Sequence, residues 1–296
     1  MPVKKLSIGV IGAGRVGAVL AAALRAAGHE ITAVAGESGA SRTRIETMLA
    51  GVRVGKPTTV ARSCELLLLA VPDDALDNVV RMLVASGAIR PGQYVVHTSG
   101  RHGLRALAPA TEMGARGVAL HPAMTFTGTD LDLARLPGCV YGATCDDAER
   151  PLALALAADV GGTVAWVAED DRALYHAALA HGSNHLVTLV TQAMGLLRSA
   201  GSHDPAAILR PLLTAALDNA LAYGDAALTG PIVRGDVRTV RAHVLSLAQS
   251  SPETLESYVV LARATANHAV ADGRLEPRRA ALLVELLNDS LMGIPV

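Results

Sequence analysis

The chain has 296 residues, 51% of them hydrophobic and 2% aromatic, with a formal net charge of −1, which is ample apolar content for two cores of ordinary size. The charge balance provides no electrostatic footprint for nucleic acid, and the scarcity of aromatics removes the stacking platforms used by single-strand binders. Three cysteines, Cys64, Cys139 and Cys145, form no CxxC pair and leave one unpaired, which suits a reducing compartment and points to neither a disulfide framework nor a metal site.

Lys4 and Lys5 precede an apolar stretch, as in a secretion signal, but Gly12, Gly14, Arg15 and Gly17 break the run that a signal helix needs. The protein is therefore expected to act in the cytoplasm. Read with its flanks, the same stretch has a different meaning. The apolar run Leu6 to Ile11, the turn Gly12-Ala13-Gly14-Arg15-Val16-Gly17 and the helix-like run Ala18 to Ala27 form a strand, turn and helix. In such a unit Gly12 permits the tight turn, Gly14 lets the backbone approach a pyrophosphate, and Gly17 lets helix and strand pack closely. The anion sits at the helix N-terminus. The expected ligand is a dinucleotide.

Short apolar runs then alternate with helical segments: Ile31 to Ala35, Leu66 to Val71, Tyr94 to His97, Gly117 to His121, Val140 to Thr144 and Thr163 to Val167. Alternation of this kind predicts an α/β fold, a Rossmann-like doubly wound parallel sheet with crossover helices. Ligands bind beyond the carboxyl ends of such strands, where this chain places the glycine turn, Pro72-Asp73-Asp74, Thr98-Ser99-Gly100 and His121-Pro122.

The pattern changes near residue 166, which predicts a dinucleotide-binding domain over 1–166 and an all-helical domain over 167–296. Helices are predicted over Asp171 to Ala200, Asp204 to Leu228, Asp236 to Gln249, Pro252 to Asp272 and Pro277 to Leu291. Asp204-Pro205 and Ser251-Pro252 place capping side chains before prolines, and Gly201 closes the first of these helices.

That first helix carries no charge between Arg172 and Arg198, a length that would span a membrane. His176, His181, Ser183, Asn184, His185, Thr188, Thr191 and Gln192 would be costly in lipid, so the expected position is the centre of the helical domain, with no membrane partner. His181, Asn184, His185, Thr188 and Gln192 fall within about a 100° arc. This polar stripe needs partners, from a substrate cleft, from neighbouring helices or from a second subunit. His181 and His185 copy the spacing of a zinc-protease helix, but Gly182 stands where its glutamate would be and no third ligand is evident, so no metal is expected. Further on, Arg234 is a candidate to bind a carboxylate through its planar fork, or to form a surface ion pair. Asp236 reads as the N-cap of the following helix. The tripeptide Arg234-Gly235-Asp236 has no adhesion partner in a cytoplasm.

Taken together, GAGRVG, AVPDDAL at 70–76, HTSG at 97–100, HPAMTF at 121–126, SNHLVTL at 183–189 and LTGPIVRGD at 228–236 resemble an uncharacterised family of predicted oxidoreductases. That family joins a Rossmann-like domain to a helical domain of unknown function, and the resemblance runs nearly end to end. More distantly it is similar to the superfamily with a 6-phosphogluconate-dehydrogenase-like helical domain, which includes ketopantoate reductases, β-hydroxyacid dehydrogenases and pyrroline-5-carboxylate reductases. The resemblance implies a helical domain that covers a nicotinamide and builds a homodimer. It also sets a departure in relief. The only lysines are Lys4, Lys5 and Lys56, and Ala180 stands one turn before Asn184, where lysine-dependent members carry their catalytic lysine. A histidine can supply the proton instead, which makes His181 and His121 the candidates, with Ser99 or a bound water as substitutes.

For the cofactor, Glu37 follows the second strand and would suit NAD, or else Ser38, Ser41 and Arg42 hold the 2′-phosphate of NADP. NADP is preferred and NAD stays open. The resemblance assigns Gly12, Ala13, Gly14, Arg15, Val16 and Gly17 to the pyrophosphate. Val71, Pro72, Asp73, Thr98 and Ser99 flank the ribose and nicotinamide, and Asn184, Thr229, Gly230 and Arg234 position the substrate. The first expectation is an NADPH-dependent reductase of a small keto acid, with ketopantoate the most specific substrate named. The alternatives are a non-catalytic dimer that senses NADP and a metabolite, and a cyclic imine reductase.

Overall fold

A computed structural model describes residues 4–291. The chain forms two compact units, residues 1–184 and 185–296.

In the first unit, β1 (Ser7–Ile11) leads through the glycine turn into α1 (Arg15–Ala26), followed by β2 (Glu30–Ala35), α2 (Gly39–Met48), β3 (Arg53–Val54), α3 (Pro57–Arg62), β4 (Leu66–Leu69), α4 (Asp73–Ala85) and β5 (Tyr94–His97). Next come α5 (Ala108–Glu112), β6 (Arg116–Pro122), β7 (Val140–Cys145), α6 (Arg150–Asp159) and β8 (Thr163–Trp166). The eight strands lie in the order β3-β2-β1-β4-β5-β6-β7-β8. Side chains alternate across the strands with period two. Thus Leu66 and Leu68 of β4 enter the core on one face with Ile8, Val10 and Val96, while Leu67 and Leu69 enter the core on the other with Ile11 and Val95. Two apolar faces need two layers of helix, and this is the doubly wound α/β arrangement expected.

The sheet departs from the expectation in two places. The two-residue β3, paired to β2 at Ala33 and Val34, is too short and polar to show as an apolar run. More substantially, β6 and β7 pair antiparallel, with His121 opposite Gly142. Between them lies only a 3-10 turn, Asp130–Arg135, so no crossover helix carries the chain back to a parallel start.

The strands end at Trp166, yet the compact unit runs on to Asn184, inside α7 (Arg172–Ser199). The start of this helix is tied to the sheet by Arg172, whose guanidinium is buried and donates to the Gly142 carbonyl at 3.1 Å.

The second unit contains the remainder of α7, then α8 (Pro205–Tyr223), α9 (Val237–Ser250), α10 (Pro252–Ala271) and α11 (Pro277–Leu291). Its core draws on helical spacings: Val240, Val244 and Leu247 from α9, Leu255, Val259, Ala262, Ala266 and Ala269 from α10, and Leu283 and Leu287 from α11. Asp204 caps α8 by accepting from Ala207 N–H, and Asp236 caps α9 by accepting from Thr239 N–H and its hydroxyl. Ser251 does not cap α10. Its hydroxyl donates to Glu253 and Thr254 side chains instead. The helix expected to reach Leu228 stops at Tyr223, where Gly224 takes φ +56°.

The expected burial of the long helix is corrected. Arg172 is its one buried residue, and Leu174, Leu186, Val187 and Leu189 are exposed, as are Ile208, Leu212, Leu217 and Leu221 of α8. The polar stripe predicted a buried helix because it was read for a chain whose own core would cover it. The core of the second unit is built by α9, α10 and α11, and leaves these faces open. Among the described residues no helix is long and apolar enough to cross a membrane.

Candidate active site

Four adjacent parallel strands, β1, β4, β5 and β6, bring their carboxyl ends to one edge, and the residues that follow them build the site. The turn after β1 is stitched to its neighbours: Gly12 N–H donates to Ala35 O at 2.9 Å and Ala70 N–H to Ile11 O at 2.8 Å. Gly12 has φ +97°, a region that side chains disfavour, and a Cβ there would fall on the Ala70 carbonyl oxygen. A Cβ on Gly17 would fall on the Gly12 carbonyl oxygen. Gly14 differs, because a Cβ there meets nothing within 4 Å. Open space in front of Gly14 and the unpaired first-turn N–H groups of α1, with no acidic side chain in that turn, suit an incoming pyrophosphate.

The loop that follows β6 closes beside this turn. Buried Asp132 accepts from Gly128 N–H at 2.7 Å and from the Thr127 hydroxyl at 3.0 Å. Gly128 packs against Arg15 and Arg44. Beyond β2, the Ser38 hydroxyl caps α2 through Ser41 N–H and bonds the Ser41 hydroxyl, while Glu37 and Arg42 are exposed on this rim. Arg44 was missed in the sequence, since nothing local shows that α2 turns it toward Gly128.

Pro72 and Asp73 begin α4, where the Asp73 carboxylate lies in a first turn that favours negative charge. After β5, His97 is fully buried, its Nε2 2.9 Å from Gly103 O and its Nδ1 accepting from Ser99 N–H. Burial lowers the His97 pKa to about 4. Ser99 is buried and its hydroxyl accepts from His102 N–H at 3.0 Å, so this candidate acts as a staple of the Thr98-Ser99-Gly100 loop.

His121, next to last in β6, lines a cavity of about 430 Å³ with Met124, Thr125, His176, Ser183 and Asn184. The cavity therefore joins two of the predicted catalytic residues, His121 and Asn184. His181 lies on the exposed part of α7, and Thr229, Gly230 and Arg234 belong to the second unit, with Thr229 lining a separate cavity of about 420 Å³ there. Three residues at the start of α7 were not singled out as site residues from the sequence: Arg172, Tyr175 and His176. The Tyr175 hydroxyl is 3.0 Å from His121 Nδ1, and the His176 ring packs edge-on to His121 with centroids 6.0 Å apart. Burial, then the charges of His176 and Arg172, lower the His121 pKa to about 4. His121 is neutral at pH 7, so it holds no spare imidazolium proton there. Among the described residues no cluster of histidine, cysteine or carboxylate groups can hold a metal.

Residues 1–122 match the family model of a Rossmann-like domain, and residues 139–265 that of a domain of unknown function (DUF2520). No curated protein matches the sequence. Among solved structures, the chain is similar to the provisionally assigned NADP oxidoreductase BF3122 from Bacteroides fragilis, at 20% identity and TM-score 0.75, over 89% of this chain and 98% of that one. It is similar to a reductive aminase from Aspergillus terreus in complex with NADPH, at 19% identity and TM-score 0.59, over 98% and 95%. It is also similar to a pyrroline-5-carboxylate reductase from Coxiella burnetii, at 15% identity and TM-score 0.54, over 99% and 100%. At these identities the likeness establishes the shared fold.

Proposed function

We propose that the protein is an NADPH-dependent reductase of a small carbonyl or imine compound. The observation that carries the reading is the sharing of one sheet edge by the open glycine turn and the cavity around His121. A fold shared with enzymes whose names include NADP, NADPH and pyrroline-5-carboxylate supports it. On this reading residues 1–166 hold the dinucleotide, and residues 167–296 supply substrate contacts and a dimer surface. NADPH, when bound, supplies a hydride.

The residues of the chain supply the rest. The first-turn N–H groups of α1 and the Arg15 side chain bind the pyrophosphate, and Ser38, Arg42 and Arg44 take the 2′-phosphate, with Glu37 the residue that would favour NAD. The loops at Val71-Pro72-Asp73 and Thr98-Ser99 bracket the ribose and nicotinamide. Asn184 orients the reacting bond, and His121 delivers the proton. No lysine stands in the cavity, and a neutral imidazole is a weak acid. The proton from His121 therefore serves a keto acid or an unprotonated imine, whose oxygen or nitrogen gains negative charge as hydride arrives, and it needs a source behind the ring. The exposed apolar side chains of α7 and α8 in the second unit, with Val187 64% and Leu221 80% exposed, support a homodimer, because large apolar patches are uncommon on a monomer.

Nicotinamide fluorescence decides the cofactor. NADPH is expected to bind more tightly than NADH, and initial rates are then compared with ketopantoate and with 1-pyrroline-5-carboxylate. Failure of both dinucleotides to bind would end the reductase reading. Tight binding without turnover of either class would favour the sensor.

A further inference from the structure

A neutral histidine that gives up a proton must be resupplied through its other nitrogen, and the structure points to a source. We propose, building on the reductase reading, that Tyr175, His121 and Arg172 form a proton relay, in which Tyr175 loads the Nδ1 side of His121 while Nε2 protonates the reduced substrate.

The relay rests on geometry from three elements. The Tyr175 hydroxyl lies 3.0 Å from His121 Nδ1, and the two rings stand at 88° with centroids 5.7 Å apart. Tyr175 does not line the cavity whereas His121 does, so the imidazole bridges a half-buried tyrosine and the space for substrate. Two glycines make room for it. A Cβ at Gly142 would fall on the Tyr175 hydroxyl, and one at Gly100 would lie 3.0 Å from His121 Nε2 and 2.6 Å from the His176 ring.

Arg172 supplies fixed charge. It precedes Tyr175 by three residues on α7, so the two share a helix face. Its guanidinium lies 5.9 Å from the Tyr175 ring centroid, is 1% exposed, and is pinned by bonds from Nε to His102 O at 2.9 Å and from Nη1 to Gly142 O at 3.1 Å. Its Nη2 is buried with no hydrogen-bond partner among the described residues, which leaves the charge poorly compensated and available to an anion nearby. That field opposes an imidazolium on His121; at Tyr175 burial is the larger effect and raises the tyrosine pKa, and Arg172 offsets part of that rise. The other groups facing His121 are His176, which adds to the same opposition, and Asp73, whose carboxylate acts against it.

The protons balance. As hydride reaches carbon, the His121 Nε2–H bond breaks and an O–H or N–H bond forms on the product, while the Tyr175 O–H bond breaks and Nδ1–H forms. The negative charge rests on Tyr175 beside Arg172 and the imidazole stays neutral throughout. After release, Nδ1 returns its proton to Tyr175 and Nε2 takes one from water.

Nitrogen-15 NMR of the histidine side chains tests the arrangement without any substrate. The wild type is expected to hold His121 as the Nε2–H tautomer up to pH 8, and Tyr175→Phe to release it into a mixture of tautomers. A wild-type ring protonated on Nδ1 would overturn the relay. Turnover then tests its use, with ketopantoate and 1-pyrroline-5-carboxylate as probes. Tyr175→Phe is expected to bind NADPH within about twofold of wild type and to lose about 10²-fold in kcat with little change in KM. Its solvent-deuterium proton inventory should change from curved, for two moving protons, to straight. Unchanged kcat and curvature in Tyr175→Phe would overturn the relay with the reductase reading intact, whereas a wild type that binds no NADPH would overturn that reading itself.

Discussion

Replacing Gly12 and Gly14 by alanine, one at a time, separates scaffold from ligand binding within a single turn. At Gly12 the new methyl meets two costs. The backbone is at φ +97°, and leaving the glycine-only region costs about 1–2 kcal/mol. The methyl would also lie on the Ala70 carbonyl oxygen, and such overpacking against backbone typically costs about 1–3 kcal/mol. The total is about 3 kcal/mol, or roughly 6–12 °C in unfolding midpoint for a unit of this size. At Gly14 the methyl meets nothing within 4 Å, and φ is −75°. The stability cost there is that of a poorer N-cap, under about 1 kcal/mol, yet the methyl occupies the approach to the α1 N-terminus. Thermal unfolding by circular dichroism and NADPH titration by fluorescence, on both variants, give the answer. Gly14→Ala is expected to melt within about 3 °C of wild type and to bind NADPH at least tenfold more weakly. Equal destabilisation by the two substitutions, or wild-type affinity in Gly14→Ala, would refute the reasoning.

Because burial holds His97 and His121 each at about 4, the folded protein takes up fewer protons than the unfolded chain below pH 6.5. Stability is therefore full above pH 6.5 and falls as the pH drops to about 4, by at most roughly 3 kcal/mol per ring. Urea midpoints at pH 7 and pH 4 should differ less in His121→Gln than in wild type, and equal differences would contradict the assignment. Asp236→Ala removes both bonds to Thr239 and should lower the urea midpoint of unfolding. Asp132→Ala strands the buried Gly128 N–H, while the Thr127 hydroxyl keeps its bond to Thr129, and should cost roughly 1–3 kcal/mol, with weaker NADPH binding in the same titration because the loop rests on Arg15. Leu217→Glu with Leu221→Glu places charge on one exposed face of α8 and, on the dimer reading, should convert dimer to monomer in sedimentation analysis. An unchanged sedimentation coefficient would remove α8 from the interface.

Much of the fold was legible because its signals are local. The apolar run Leu66 to Leu69, the glycine turn flanked by strand and helix, and the caps Asp204 and Asp236 each encode their structure within a few residues. The antiparallel pairing of β6 with β7 was not legible, since a strand's direction depends on how the intervening 123–139 segment folds and not on the strand's own pattern. The burial of α7 was misread for a related reason: periodicity reports which faces are apolar and cannot say what covers them.

The site divides in the same way. The amino-acid sequence by itself determined the glycine turn, the absence of a lysine on α7, and the placing of Thr98-Ser99-Gly100 and His121 at strand ends, because strand ends in a doubly wound sheet converge whatever the details. Only the tertiary structure decided what His121 touches. Residues 121 and 175 are 54 positions apart, on a strand and a helix whose meeting depends on Gly100, Gly142 and the buried Arg172. Hydrogen-bond distance, burial and the field of a fixed charge are properties of that packing, and they turn His121 from a free imidazolium donor into a neutral ring backed by a tyrosine.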